Sequence, residues 1–167
     1  MTDLDLTVLL ASIVAGAAPI VLAVLGETIS EKGGVINLSL DGSILLSAMV
    51  SFAIAYQSNN LFLGFAGGAL VGAMTAAVVG FFSVFLGLSQ VAVGFVLTLT
   101  ARDLAYFLGN PYARLYGPQT GLLPIPWLHD IPVLGPIFFD QSFPAYLSLL
   151  LIPFVWWYLY KTPMGLR

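Results

Sequence analysis

The chain has 167 residues, of which 59% are hydrophobic and 8% are charged, and its formal net charge is -3. A soluble domain carries about a quarter charged residues, so this composition excludes a soluble globular protein. The sparse charges form no basic cluster, which argues against nucleic acid as a partner. The chain has no cysteine, and His129 alone cannot form a metal cluster. No metal or other cofactor is therefore expected.

Long uncharged runs predict membrane-spanning helices. Charged residues are absent from 6–26, 42–101 and 141–160, and a helix crosses the hydrocarbon core with about 20 apolar residues. The middle run is too long for one span, and the polar sequence at 57–60 divides it. We predict an all-α, polytopic membrane helical bundle that forms a single domain over residues 1–167. The five expected spans are residues 6–25, 34–56, 61–86, 90–108 and 144–160.

The distribution of basic residues predicts the orientation. The acidic N-terminus lacks the positive region of a signal peptide, so the first span is expected to be retained. Lys32, Lys161 and Arg167 fall on one side of the predicted spans, and only Arg114 falls in the loop on the other side. Because positive residues favour the cytoplasmic side, we expect the N-terminus outside and residue 167 in the cytoplasm. An aromatic anchor at the inner interface is expected from Trp156, Trp157, Tyr158 and Tyr160.

Segment 109–143 interrupts the helical pattern. It contains six of the ten prolines, and proline at this density prevents a continuous helix. The segment also carries apolar pairs such as Leu122-Leu123. We therefore expect an external loop that folds back onto the membrane or the mouth of the bundle. Its His129-Asp130 pair is expected to be a surface turn, because no nucleophile lies nearby in sequence.

Small residues recur at intervals of four in the second and third spans, which places them on one helical face. Such faces let two helix backbones approach closely within a membrane. We interpret both rows as packing seams. The second span contributes Ser39, Ser43, Ser47 and Ser51. The helix-packing residues expected in the third span are Gly64, Gly68, Gly72 and Gly80.

Asn37 and Asp41 are polar residues near the predicted inner end of the second span. A carboxylate at the centre of a span costs on the order of 2.5–3.5 kcal/mol. The neighbouring Gly33-Gly34 and Gly42 suggest a locally unwound stretch. Two interpretations stay open: the two side chains line a transport pathway, or they cap the entry of a helix.

The fourth span carries Gln90, Gly94, Thr98 and Arg102 at intervals of four, so one face of an otherwise apolar helix is polar. Such a face is expected to look into the bundle or a water-filled cavity. For Arg102 the alternative is that the side chain reaches the outer interface, accompanied by Asp103. The candidate pathway residues are Asn37, Asp41, Gln90, Thr98 and Arg102.

Four stretches resemble a known family. Residues 26–42 read GETISEKGGVINLSLDG and resemble the motif G-E-x-x-x-E-[RK]-x-G-V-[IL]-N-[IL]-x-x-[ED]-G of permease subunits of bacterial ABC importers for nucleosides and simple sugars. These are related to the ribose and branched-chain amino-acid permeases. Residues 89–94 resemble the family's N-Q-V-V-S-G stretch, and 131–138 resemble its external loop I-P-x-L-G-P-[IL]-[LF]. Residues 161–167 resemble the [RK]-T-x-x-G-L-[RK] that leads into the cytoplasmic coupling helix.

The resemblance implies a transport subunit of the bacterial cytoplasmic membrane that is not itself an enzyme. The family pairs two permease subunits around a central path and receives substrate from an extracytoplasmic binding lipoprotein. A separate ATP-binding subunit drives transport, and this chain lacks a G-x-x-x-x-G-K-[ST] motif of its own. Family members are about twice as long, so the chain is expected to be an N-terminal half. The resemblance assigns ATPase coupling to Thr162, Gly165, Leu166 and Arg167.

Two rival functions remain open on the sequence. In a secondary transporter, Asp41 would bind a coupling proton or Na⁺. In a membrane scaffold that does not transport, the polar faces would pack on partner helices. Our principal hypothesis is a permease subunit of an ABC importer that moves a nucleoside or simple sugar by alternating access.

Overall fold

The computed structural model describes residues 6–129, 131–163 and 165. Within them, five helices are long and apolar enough to cross a membrane, which confirms the predicted polytopic helical architecture. The contacts divide the chain into two compact units, Ser30–Gln119 and Met1–Ile29 with Thr120–Arg167. The helices are α1 (Leu6–Lys32), α2 (Leu40–Ser58), α3 (Leu61–Gly80), α4 (Gln90–Gly109) and α5 (Phe143–Lys161).

The polar sequence at 57–60 separates α2 from α3, as expected. Asn59 adopts the left-handed conformation (φ 48°) that ends α2, a conformation that asparagine tolerates better than most residues. Asn60 then caps α3, because its side-chain oxygen accepts hydrogen bonds from the backbone N–H groups of Phe62 (2.9 Å) and Leu63 (3.4 Å). Two consecutive asparagines thus end one helix and begin the next.

The connection from α3 to α4 begins with a π-helical turn, Phe81–Phe85. Gly87 then adopts a positive φ of 65°, which glycine permits without steric cost. The hydroxyl of Ser89 accepts a hydrogen bond from the Ala92 N–H (3.4 Å) and caps α4. The chain therefore reverses direction between α3 and α4 within a few residues.

In the unit Ser30–Gln119, α2 packs against both α3 and α4. Large apolar side chains such as Leu70, Phe95 and Phe107 are more than 60% exposed. This inverts the pattern of a soluble protein, because lipid removes the hydrophobic drive and helices associate through close backbone contact. The buried positions are correspondingly small residues at Ser39, Gly42, Ser43, Ala55, Gly64, Thr75, Gly94, Ala101 and Ala105, together with Val79 and Ser83.

Two helix bounds differ from the prediction. Helix α1 continues to Lys32 instead of ending near residue 25. The charged residues Glu27, Glu31 and Lys32 end the apolar run, but glutamate and lysine are good helix formers and do not end the helix. Helix α2 begins at Leu40 instead of residue 34. The residues 33–39 between the two helices are irregular. We call them the motif segment.

In the other unit, two short antiparallel strands precede α5: β1 (Leu122–Pro124) and β2 (Asp140–Ser142). Leu122 pairs with Ser142, Leu123 with Gln141 and Pro124 with Asp140. A second π-helical turn, Gly135–Phe139, leads into β2. The segment expected to lack a continuous helix thus contains a small sheet. His129 is an exposed turn residue, and Asp130 lies outside the described residues.

Gln141 fixes this sheet. Its side chain is 2% exposed, and its Nε2 donates to the carbonyl oxygens of Ala11 in α1 (3.0 Å) and Ile137 (2.8 Å). The Tyr146 hydroxyl accepts from the Gln141 backbone N–H (3.1 Å) and donates to the Leu123 carbonyl (2.9 Å). These bonds pair backbone groups that the two short strands leave unsatisfied.

Candidate functional site

The motif segment is a break in helical structure between two predicted spans. Gly34 has a φ of 81°, a conformation that residues with a side chain rarely adopt. The Asn37 side-chain oxygen then accepts hydrogen bonds from the backbone N–H (3.0 Å) and the hydroxyl (2.5 Å) of Ser39. This local turn aligns the chain for the start of α2. Asn37 therefore lies outside the helix that carries Asp41, so the two do not share a helical face.

Gln90, the first residue of α4, holds the motif segment through both ends of its amide. Its Oε1 accepts from the Ile36 backbone N–H (2.9 Å), and its Nε2 donates to the Gly34 carbonyl (3.3 Å). This pairing replaces the backbone bonds that a helix or sheet would have provided. Irregular backbone at membrane depth requires such partners, since lipid offers none.

One helical turn further along α4, the backbones of two elements approach closely. A Cβ atom at Gly94 would lie 2.9 Å from the Leu38 Cβ, and one at Gly42 would lie 2.3 Å from the carbonyl oxygen of Thr98. The Thr98 hydroxyl donates to the Leu38 carbonyl (2.8 Å). The predicted polar face of α4 thus packs, over three of its four positions, on the motif segment and the first turn of α2.

The two charged candidates have different surroundings. Asp41 is exposed in the first turn of α2, where a negative charge interacts favourably with the helix dipole. Arg102 Nε lies 3.9 Å from Asp103 Oδ1, with 41% and 78% of the side chains exposed. An ion pair this long and open contributes little stability. The structure therefore brings Asn37, Gln90 and Thr98 together at the motif segment and places Arg102 one turn beyond Thr98.

The glycine row of α3 lies against the serine row of α2 over most of its length. A Cβ at Gly64 would lie 2.7 Å from the Ala55 Cβ, and one at Gly68 would lie 3.1 Å from the Ser51 Cβ. Ser51 also donates its hydroxyl to the Gly64 carbonyl (2.7 Å). A Cβ at Gly72 would lie 3.7 Å from Ser47 Oγ, whereas one at Gly80 would meet no atom within 4 Å.

A cavity of about 530 Å³ opens beside the connection between α3 and α4. Its lining is apolar apart from two hydroxyls. The Ser89 hydroxyl caps α4, and the Thr100 hydroxyl donates to the Val96 carbonyl in its own helix (2.9 Å). A hydroxylated ligand would find few polar partners there. The lining residues are Val78, Phe82, Leu88, Ser89, Ala92, Val93, Val96, Leu97 and Thr100.

The chain turns sharply after α5. The Thr162 hydroxyl donates to the Tyr158 carbonyl (2.6 Å), and the Gly165 N–H donates to the Thr162 carbonyl (3.2 Å). A Cβ at Gly165 would lie 2.4 Å from the Tyr158 carbonyl oxygen, so only glycine fits this approach. Leu166 and Arg167, the other two predicted coupling residues, lie outside the described residues.

Sequence reasoning missed two polar groups that hold elements together. Gln57 appeared only as a break between spans, but its Nε2 donates to the hydroxyl of Tyr112. No role was predicted for Gln141, although its amide joins β2 to α1 and to the π-helical turn at Gly135–Phe139. The available signal was a glutamine at the edge of an apolar run. Among the described residues, no group of three or more His, Cys, Asp or Glu side chains is placed to hold a metal ion.

Comparison with known proteins gives a family match across nearly the whole chain. Residues 9–167 match the family described as the permease component of branched-chain amino acid transport systems. No solved structure matches.

Three curated relatives are similar over most of this chain. The guanosine ABC transporter permease protein NupQ of Bacillus subtilis is 33% identical over 175 residues, which cover 90% of this chain and 51% of NupQ. The nucleoside ABC transporter permease protein NupC of Lactococcus lactis is 30% identical over 173 residues (97% and 55%). TsgC13 of Haloferax volcanii, which carries the name of a glucose ABC transporter permease, is 36% identical over 163 residues (95% and 50%). The chain thus spans about half the length of these relatives.

Proposed function

The chain belongs to the family of permease components of branched-chain amino acid transport systems, and we propose that it acts in an ABC importer for a nucleoside or simple sugar. The observation that carries the proposal is the match over residues 9–167, together with the names of the three relatives. In this role the chain forms a transmembrane path and does not hydrolyse ATP. Residues 1–167 act as one transmembrane permease domain.

The substrate path of this proposal follows the motif segment and the polar face of α4. Gln90 and Thr98 fix the irregular backbone through their hydrogen bonds to Gly34, Ile36 and Leu38. Asn37 and Asp41 then present polar groups beside the N-terminus of α2. Broken helices whose ends face a polar substrate are a recurring arrangement in transporters.

Arg102 extends this path along α4. Its side chain is 41% exposed, so the guanidinium is available to a passing hydroxyl or carbonyl group. A charged group within a span usually faces a bundle interior or a water-filled cavity. The five path residues of the proposal are Asn37, Asp41, Gln90, Thr98 and Arg102.

The partners of the proposed importer are an ATP-binding subunit, a second permease subunit and an extracytoplasmic substrate-binding lipoprotein. The N-terminus lies outside the cytoplasmic membrane, and residue 167 lies in the cytoplasm, in keeping with the positions of Lys32 and Lys161. The proposal assigns coupling to the ATP-binding subunit to Thr162, Gly165, Leu166 and Arg167, of which Thr162 and Gly165 form the turn after α5. The exposed apolar faces of the helices contact membrane lipid.

Co-purification tests the proposal. The chain is tagged, expressed in its own cells and purified in mild detergent, and the eluate is assayed for ATP hydrolysis and analysed by mass spectrometry. We expect an ATP-binding subunit and a second permease subunit in the eluate. Gly165→Leu should reduce the recovered ATP-binding subunit at least tenfold, and Gly80→Leu is the control, since Gly80 has no close neighbour. An eluate with no ATP-binding subunit would refute the proposal.

A further inference from the structure

Three aromatic rings meet at the end of the α2–α4 pair that lies away from the motif segment. Phe52 and Tyr56, one turn apart on α2, stack with ring centroids 6.1 Å apart and an interplanar angle of 14°. Tyr112, just after α4, meets both rings edge-on at 6.4 Å. The backbone at Gly117 closes over the Phe52 ring, because a Cβ there would lie 2.4 Å from Phe52 Cε2. Tyr56 remains 42% exposed.

Polar groups surround this aromatic surface. The Tyr112 hydroxyl accepts a hydrogen bond from Gln57 Nε2, so its own proton is available to an acceptor. Tyr56 and Gln57, both exposed on α2, add a hydroxyl and an amide oxygen. The cluster therefore offers an apolar ring face, two hydroxyls and an amide oxygen within a small area.

The cluster continues the proposed path along α2. Asp41 and Phe52 lie eleven positions apart, a little over three helical turns, so they occupy nearly the same face of the helix. Tyr56 follows one turn later, about 22 Å from Asp41 along the axis at 1.5 Å per residue. The aromatic surface thus lies at the opposite end of α2 from the motif segment.

We propose that Tyr56, Gln57 and Tyr112 form a docking subsite for the sugar ring of the imported substrate. The inference rests on the proposed function, because it assigns a residue set and a ligand group to the same path. A ligand site combines apolar and aromatic surface with a few placed polar groups. A sugar ring matches it, since its C–H face lies on an aromatic ring while its hydroxyls reach the surrounding donors and acceptors. Nucleosides and simple sugars each contain a hydroxylated sugar ring.

The alternative role for these tyrosines is anchoring at the membrane surface, where aromatic residues are common. An anchor needs only contact with lipid headgroups. Here the rings contact one another, and the bond from Gln57 to Tyr112 joins α2 to the end of α4. The arrangement instead keeps the polar groups in fixed positions beside the Tyr56 ring, as recognition of a ligand requires.

Uptake kinetics in proteoliposomes of the assembled importer test the subsite, with radiolabelled guanosine and radiolabelled glucose as probes. Tyr56→Ala and Gln57→Leu should each raise KM about tenfold, which corresponds to about 1.4 kcal/mol, with maximal uptake unchanged. Tyr56→Phe should retain most of the affinity. Tyr106→Ala is the control, because Tyr106 is 66% exposed on α4 outside the cluster. Its KM should equal that of the unmodified importer.

The outcomes distinguish failure of the proposed subsite from failure of the proposed importer function. If the unmodified importer takes up neither probe while retaining its ATP-binding subunit, the proposed substrate class fails. If it transports and the KM values of Tyr56→Ala and Gln57→Leu are unchanged, the subsite is refuted. Should Tyr56→Ala not assemble, Tyr56→Leu keeps the apolar volume and must still raise KM. Free ribose should compete with guanosine and free guanine should not, and the reverse would refute recognition of the sugar ring.

Discussion

At the scale of single residues, polar side chains within the spans serve the backbone first. Gln90 and Thr98 bond to backbone groups of Gly34, Ile36 and Leu38. These bonds satisfy backbone groups that have no helical partner in the irregular segment. A polar residue in an apolar run therefore indicates either a ligand or a break in the backbone nearby. In this chain the break lies next to the proposed path.

Thr98→Val tests this use of a polar side chain. The variant keeps the shape of the residue but leaves the Leu38 carbonyl without its donor, so the free energy of unfolding should fall by about 1 kcal/mol. Thr100→Val is the matched control, because the Thr100 hydroxyl bonds only within α4. Reversible unfolding in mixed detergent micelles measures both. Equal stabilities of the two variants would contradict the assigned bond.

A substitution at Gln90 tests the other hydrogen bonds that hold the motif segment. Gln90→Leu removes both amide bonds, and hydrogen exchange at the backbone N–H of Ile36 should accelerate at least tenfold. Gln119→Leu supplies a comparison, since Gln119 is exposed at the far end of the unit. Unchanged exchange at Ile36 in the Gln90 variant would show that the motif segment does not depend on the hydrogen bonds of Gln90.

At the scale of helices, α2 and α3 associate through a seam of small residues. Gly64 and Gly68 place their backbones against Ala55 and Ser51, and the Ser51 hydroxyl bonds across the seam. Close backbone contact of this kind replaces the burial of large apolar side chains. The spacing of four residues was sufficient to suggest the seam, because a helical face follows directly from sequence.

Gly64→Ala should destabilise the seam, because its Cβ would lie 2.7 Å from the Ala55 Cβ and 2.8 Å from the Ser51 carbonyl oxygen. Overpacking of this kind costs about 1–3 kcal/mol. Gly80→Ala meets no atom within 4 Å and should leave stability unchanged or raised, since alanine favours a helix. The same unfolding assay compares the two variants. Equal free energies of unfolding would show that α2 and α3 pack differently from this structure.

In the proline-rich part, Tyr146→Phe removes only the hydroxyl that joins Gln141 to Leu123. Hydrogen exchange at residues 122–125 and 140–142 should increase several-fold, because a two-stranded sheet is marginal by itself. Tyr106→Phe, at an exposed tyrosine of α4, is the control and should change nothing in these strands. Equally slow exchange at these residues in both variants would refute the stabilising role of the Tyr146 hydroxyl.

Sequence predicted the helices well and their irregular connections poorly. The five spans follow from charge-free length, and the turn at Asn59 and Asn60 follows from residue type. The start of α2 at Leu40 could not be predicted from the sequence. The hydrogen bonds that hold the motif segment come from Gln90, more than 50 residues away. The same distance hid the bond from Gln57 to Tyr112. Local periodicity reports which face is polar, and it contains no information about the partner of that face.

At the scale of the whole molecule, the chain is a multi-pass membrane protein of a permease family. It spans about half the length of its curated relatives. The proposed path needs three parts of this chain together: the motif segment, the polar face of α4 and the aromatic subsite at the far end of α2. All three belong to the unit Ser30–Gln119, so the proposal places the path of this chain within one unit.

We propose that ATP hydrolysis on a partner subunit drives transport through this chain. The most direct measurement is uptake of radiolabelled guanosine or glucose by proteoliposomes of the assembled importer, with and without internal ATP and with an ionophore. We predict uptake that requires ATP, persists in the ionophore, and falls at least tenfold in Asp41→Ala but not in Asp103→Ala. Uptake that does not require ATP and collapses with the ionophore would contradict ATP-driven import and would indicate an ion-coupled transporter.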